Sequence, residues 1–136
     1  MTKDDVLINK MATIQRCIKR VKEEYDGFEL EFRSHYTKQD SIVLNLQRLC
    51  ETSIDLASYI VRKKKLGIPQ SSRDVFSLLE SAQIIDKDLC SHLQAMVGFR
   101  NIAIHEYRKL DLDIVESVIK NRLADFEKLA ALLIVL

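Results

Sequence analysis

Apolar residues at Leu7, Met11, Ile14, Ile18, Val21 and Tyr25 step by fours and threes, the spacing that gathers side chains on one stripe of a helix. Thr2 with Asp5 three residues on predicts a capping box at its start. A second stripe runs through Ile42, Leu46, Leu49, Leu56 and Ile60, in a helix opened by Thr37 with Asp40 and closed before Gly67. This helix is expected to be the longest. Between the two, Asp26-Gly27 and the polar run Arg33-Ser34-His35 break the period. Phe28, Leu30 and Phe32 alternate with Glu29 and Glu31 as a short strand would, but the segment reads as a loop or a helix extension. The run from Leu66 to Ser72 holds the only proline, Pro69, beside a glycine and two serines, and marks a change of chain direction.

A short helix follows with Val75, Phe76, Leu78 and Leu79. Asp86 then predicts the cap of another helix, whose stripe is Leu89, Leu93, Met96, Arg100, Ala103 and Tyr107. The final helix, capped by Asp113 with Glu116, carries Val115, Ile119, Phe126, Leu129 and Leu133. Four long helices and a short one predict an all-α, antiparallel helical bundle. No repeat or internal boundary divides residues 1-136, so one helical domain is expected.

Composition narrows the field. Three glycines and one proline supply too little turn chemistry for a sandwich or barrel of short strands. Hydrophobic residues at 47% and charged ones at 30% exclude disordered, fibrous and membrane-spanning classes. Lys and Arg number 21 against 20 Asp and Glu, so bulk charge does not attract nucleic acid, and any such binding needs a local patch. Cys17, Cys50 and Cys90 are odd in number and form no CxxC pair, which fits a reducing cytoplasm and no disulfide framework. The first ten residues lack the apolar core of a secretory signal. The apolar tail from Leu129 to Leu136 falls far short of the roughly 20 residues that cross a bilayer, so no membrane association is expected.

Arg100 is the first residue that packing does not explain, because a cation on an apolar stripe must be paired, hydrated or used. His105 lies five residues on, about 140° around an ideal helix, so one chain does not aim both side chains at one point. Two such helices meeting across a two-fold axis would line one groove with duplicate cations and duplicate proton carriers, a fit for phosphate. Asn101, one turn before His105, is placed to orient the imidazole. Tyr107 is expected two turns beyond Arg100 on the same side. The plainer reading is a dipole-compensating arginine and a surface histidine at a helix end.

Other chemistry is thinner. His35, His92 and His105 fall on separate segments without ligand spacing, so no metal is expected. No phosphate-cradling glycine loop or serine elbow occurs. Arg62, Lys63, Lys64 and Lys65 put four cations at the end of the second helix, either a solvated cap or an RNA-backbone patch, with Lys19, Arg20 and Lys22 as further candidates.

The segment from Met96 through Gly98-Phe99-Arg100-Asn101 to His105-Glu106-Tyr107 resembles the HEPN superfamily, specifically the HepT-like toxins paired with MNT nucleotidyltransferase antitoxins. The run Leu46 to Ala57 looks like that family's second helix, and Leu66 to Pro69 with Asp74 to Phe76 like its following turn and short helix, so the resemblance covers essentially the whole chain. The family's signature is Arg, four to six residues, then His, with Tyr two positions later in the HepT branch; Arg100, His105 and Tyr107 match it. The resemblance implies a homodimer that cleaves RNA without a cofactor, with Arg100 and His105 catalytic and Asn101 supporting. It also implies a nucleotidyltransferase antitoxin, itself using ATP and Mg, that AMPylates Tyr107. The reading from another class is a non-catalytic helical dimer that binds a nucleotide or a partner, with the motif kept for phosphate contact.

Overall fold

The computed structural model describes residues 4-136. Six α-helices occur among them: α1 (Asp5–Tyr25), α2 (Tyr36–Lys63), α3 (Ser72–Ser81), α4 (Lys87–His105), α5 (Leu112–Asn121) and α6 (Leu123–Ile134). Two 3-10 turns, Phe32–Ser34 and Tyr107–Lys109, complete the architecture. The described residues contain no strand, so the all-α expectation holds.

The helix starts follow capping chemistry, though not always at the expected residue. Asp4 caps α1 by accepting from the Leu7 amide; Thr2 lies outside the described residues. His35, not Thr37, caps α2, its Nδ1 accepting from the Lys38 amide at 3.2 Å. Asp86 caps α4 as the sequence predicts, accepting from Leu89 at 2.8 Å. The last expected helix is two helices. Asp111, rather than Asp113, caps α5, and the chain breaks at Arg122 before α6. No glycine or proline marks that break. There the Asp125 amide donates to the Arg122 carbonyl three residues back, while the Arg122 guanidinium lies 3.0 Å from His92 Nδ1 and 3.4 Å from Asp125. The break lets α5 turn toward the loop after α1 while α6 stays against α1, α2 and α4.

Cross-links between helices give their directions. Lys63 at the end of α2 meets Asp4 at the start of α1 at 2.7 Å, and Lys38 at the start of α2 meets Glu24 at the end of α1 at 3.3 Å. The two helices therefore run antiparallel. Gln94 of α4 bonds Arg73 and Ser77 of α3 at 2.9 and 2.8 Å, and Arg100 reaches back to Ser72, so that pair is antiparallel too. Arg122 near His92 and Lys128 near Asp86 set α6 antiparallel to α4.

α2 lies at the centre, touching α1, α3, α4 and α6. Its Ile42, Leu46, Leu49, Leu56 and Ile60 are buried with Ile14, Phe76, Leu93, Phe126, Leu129 and Leu133, each contributing about 1.5-3 kcal/mol by leaving water. The loop after α1 is not a strand: Phe32 is buried, whereas Leu30 is 98% exposed. Gln39 is buried and donates to the Phe32 carbonyl at 2.7 Å, which fixes that loop to α2. Tyr25 donates to Glu116 at 2.5 Å and Arg33 pairs with Asp113 and Glu116, which ties the loop to α5. At the α2-α3 connection Gly67 adopts φ +142°, open to glycine, and a Cβ there would lie 3.0 Å from Leu78.

Candidate active site

α4 is half core and half site. Leu89, Leu93, Met96, Phe99 and Ala103 anchor it, so the positions between are held rigidly at its C-terminal end. Arg100 takes a stripe position beside the junction of α2 and α3, with its side chain 19% exposed. Its contacts are long: Nη1 lies 4.0 Å from Glu51 and Nη2 3.5 Å from the Ser72 hydroxyl. Its Nε is buried with no hydrogen-bond partner among the described residues. A buried donor left unmade is costly, and the long contacts of Nη1 and Nη2 leave the outer edge of this guanidinium with spare capacity for an incoming anion.

His105 is the last residue of α4 and is exposed. Asn101, Ile102 and Ile104 are exposed beside it, the two isoleucines at 38% and 41%. Asn101 and His105 share the outer face, but their side chains make no hydrogen bond to each other among the described residues, so within one chain the imidazole is not oriented by that amide. The expected offset of Arg100 and His105 is also seen: Arg100 turns into the α2-α3 junction and His105 turns to solvent.

Tyr107 departs from the expectation. The helix stops at His105, Glu106 takes φ −140° and ψ 47°, and Tyr107 begins a 3-10 turn instead of continuing the Arg100 stripe. Its phenol donates to the Asp40 carboxylate in a short hydrogen bond. Burial first, and then the Asp40 anion, push the phenol pKa up to about 12. Two cavities flank the ring. One of about 420 Å³ is lined by Tyr36, Asp40 and Arg108 among others, and one of about 230 Å³ by Leu44, Gln47 and Ala103. Glu51, Ser72 and Asp40 had no signal in the sequence, because they reach the motif only through long-range packing.

The basic run is elsewhere. Lys63 is engaged by Asp4 and Tyr59, and Arg62, Lys64 and Lys65 are exposed. Lys63 lies 12 residues along α2 from Glu51, about 18 Å at 1.5 Å per residue, so the run and Arg100 are separate features. Lys22 opens to a different cavity from Arg20, beside Asp26 and Glu127. Cys50 lies beneath Arg100, and burial holds its thiol well above the usual range despite that cation, so it packs rather than reacts. Among the described residues no three His, Cys, Asp or Glu side chains are grouped to hold a metal ion.

Several known proteins are similar to this chain. A family described as "Ribonuclease HepT-like" matches residues 14-133. The chain is 52% identical over 125 residues to an mRNA nuclease HepT of Shewanella oneidensis, covering 92% of this chain and 93% of the other. It is 24% identical over 107 residues to a tRNA nuclease HepT of Aphanizomenon flos-aquae, covering 78% and 72%. Among solved structures, a tri-AMPylated Shewanella oneidensis HEPN toxin in complex with MNT antitoxin superposes with a TM-score of 0.93 at 48% identity, covering 98% of this chain and 100% of that one. A toxin-antitoxin structure with AMP-PNP superposes with a TM-score of 0.91 at 48% identity, covering 96% and 99%.

Proposed function

The chain belongs to the HepT-like ribonuclease family, and from that premise we propose that it is the toxin of a toxin-antitoxin pair, an endoribonuclease that cuts RNA at Arg100 and His105. The observation that carries this reading is the half-buried Arg100, whose Nε has no partner and whose outer contacts sit at 3.5 and 4.0 Å, on the same helix end as an exposed His105.

The chemistry follows from what each group offers. His105 takes the proton of a ribose 2′-hydroxyl, and the 2′-oxygen attacks the adjacent phosphorus. Arg100 holds the equatorial oxygens as negative charge builds in the phosphorane. The bond to the 5′-oxygen breaks, and a second imidazole returns a proton to it, leaving a 2′,3′-cyclic phosphate and a 5′-hydroxyl. The nucleophile is already attached to the substrate, so the step needs no metal-activated water. Two imidazoles require two chains. The exposed Ile102 and Ile104 beside His105 support a homodimer that brings both motifs to one cleft.

Regulation acts at the neighbouring residue. An MNT-type nucleotidyltransferase antitoxin, using ATP and Mg, transfers AMP to the Tyr107 oxygen: the phenol gives up its proton, its oxygen bonds the α-phosphorus and pyrophosphate leaves, and the added phosphate and adenosine close the cleft by charge and bulk. The AMPylation of a similar toxin and the open cavities on both sides of the Tyr107 ring support this assignment. The protein acts in the cytoplasm, in keeping with three free buried cysteines. No helix of the described residues is long and apolar enough to cross a membrane. Incubation with the antitoxin and ATP, followed by mass spectrometry, tests the Tyr107 assignment: adducts confined to that residue are expected, and adducts persisting in Tyr107→Phe would overturn it.

A further inference from the structure

A third cationic feature lies on α1 and on the side of α2 away from its core stripe. Arg16, Lys19 and Arg20 of α1 and Arg48 of α2 line an open cavity of about 550 Å³, with Leu44 and one carboxylate, Glu23, in its wall. Residues 16, 19 and 20 fall at helical i, i+3 and i+4 positions, so their charges share one face. Glu23 and Glu24 compensate Arg20 at 3.9 and 3.8 Å. Arg16, Lys19 and Arg48 are exposed, and no carboxylate of the described residues lies within ion-pair distance of them. Like charges gathered around one cavity favour an anion there, and the cluster is local, since the chain as a whole carries only +1.

The groove leads to the site. Leu44 lines this cavity and also the one of about 230 Å³ that holds Tyr107. Arg48, Leu44 and Asp40 are successive turns of α2, so Arg48 stands about 12 Å along the helix from the carboxylate that holds Tyr107. That span suits a few nucleotides. No aromatic side chain lines the cavity, so it offers charge to a backbone and no platform for bases.

We propose that the α1-α2 groove is a track for the sugar-phosphate backbone of single-stranded RNA, holding nucleotides that flank the one cleaved, with Arg16, Lys19 and Arg48 as its phosphate contacts. It rests on the ribonuclease reading for what happens at the far end, and on the charge and continuity of the groove for the binding itself. An acidic protein surface would match the charge, but it would not explain why the groove opens toward Tyr107 and the end of α4.

The test is the fluorescence anisotropy of a labelled single-stranded oligoribonucleotide titrated with full-length protein in the uncleaving His105→Ala background, with and without Arg16→Gln and Arg48→Gln, across a salt series. The track predicts about tenfold weaker binding at low salt and a log-log salt slope shallower by about 1.4, the change for two lost contacts to a single strand. Restoring charge with Arg16→Lys and Arg48→Lys should recover most of both. With His105 intact, the glutamine pair should cut a dinucleotide, too short to reach the groove, at the wild-type rate. Unchanged RNA affinity and slope would overturn the proposal, as would weakened antitoxin binding with RNA binding intact, or dinucleotide cleavage falling in step with affinity. Groove-dependent binding by a wild type that cuts no RNA would instead overturn the ribonuclease reading and leave the track standing.

Discussion

The Tyr107 phenol donates its hydrogen bond to the Asp40 carboxylate, 67 residues upstream, and so joins the 3-10 turn after α4 to the first turns of α2. The bond also supplies a proton acceptor to a phenol whose pKa of about 12 keeps it protonated at neutral pH. Asp40→Asn is therefore expected to slow AMP transfer to Tyr107 while lowering the phenol's titration point, read by mass spectrometry and by ultraviolet pH titration. Because burial first and the bond to Asp40 second raise the folded-state pKa, the protonated phenol's contribution to stability is full below about pH 10 and fades as pH rises through about 12.

A clasp at the other end of α2 has the opposite pH signature. Asp4 accepts from Tyr59 at 2.8 Å and pairs with Lys63 at 2.7 Å, and the hydrogen bond from Lys63 is the main cause holding its carboxyl below the usual range. A depressed carboxylate pKa gives stability that is present above the unfolded-state value near 4 and is lost as pH falls through the folded-state one. Asp4→Asn should thus lower the melting temperature at neutral pH, and the gap from wild type should close in strong acid. Calorimetry across that range checks it; a gap independent of pH would contradict the clasp.

Gly98 sits within the motif segment but is not demanded by packing. An added Cβ would meet only Arg73 Nη2, at 2.8 Å, the far end of a flexible side chain. Gly98→Ala should therefore gain up to about 1 kcal/mol of helix propensity in urea unfolding. Loss of RNA cleavage in that stabilised variant would assign the glycine to substrate approach.

The core prediction is larger. Leu49 is fully buried on the central helix, so Leu49→Ala should cost about 2-5 kcal/mol through lost burial and the cavity left behind. A shift of the urea midpoint at unchanged slope reads it directly.

Most of the fold was legible because helical periodicity survives wherever one face is buried. The stripe from Leu7 to Tyr25 and the cap at Asp86 appear where the spacing puts them. The break at Arg122 was not legible, since the apolar period runs through it and only contacts with His92 and Asp125 mark it. The motif was readable as a spacing, but its surroundings were not. Glu51, Ser72 and Asp40 come to Arg100 and Tyr107 from other helices, and the end of α4 at His105 turned Tyr107 away from the stripe that periodicity assigned to it.

Whether Arg100 and His105 carry metal-free RNA cleavage is decided by the activity of the purified wild type in EDTA, beside Arg100→Ala and His105→Ala, with fragment ends identified by mass spectrometry. The wild type should leave 2′,3′-cyclic phosphate and 5′-hydroxyl ends. Rates should fall about 10²-10⁴-fold without the imidazole and about 10²-10³-fold without the guanidinium. Undiminished cleavage by a folded His105→Ala protein, or none by a folded wild type on either messenger or transfer RNA, would contradict that role.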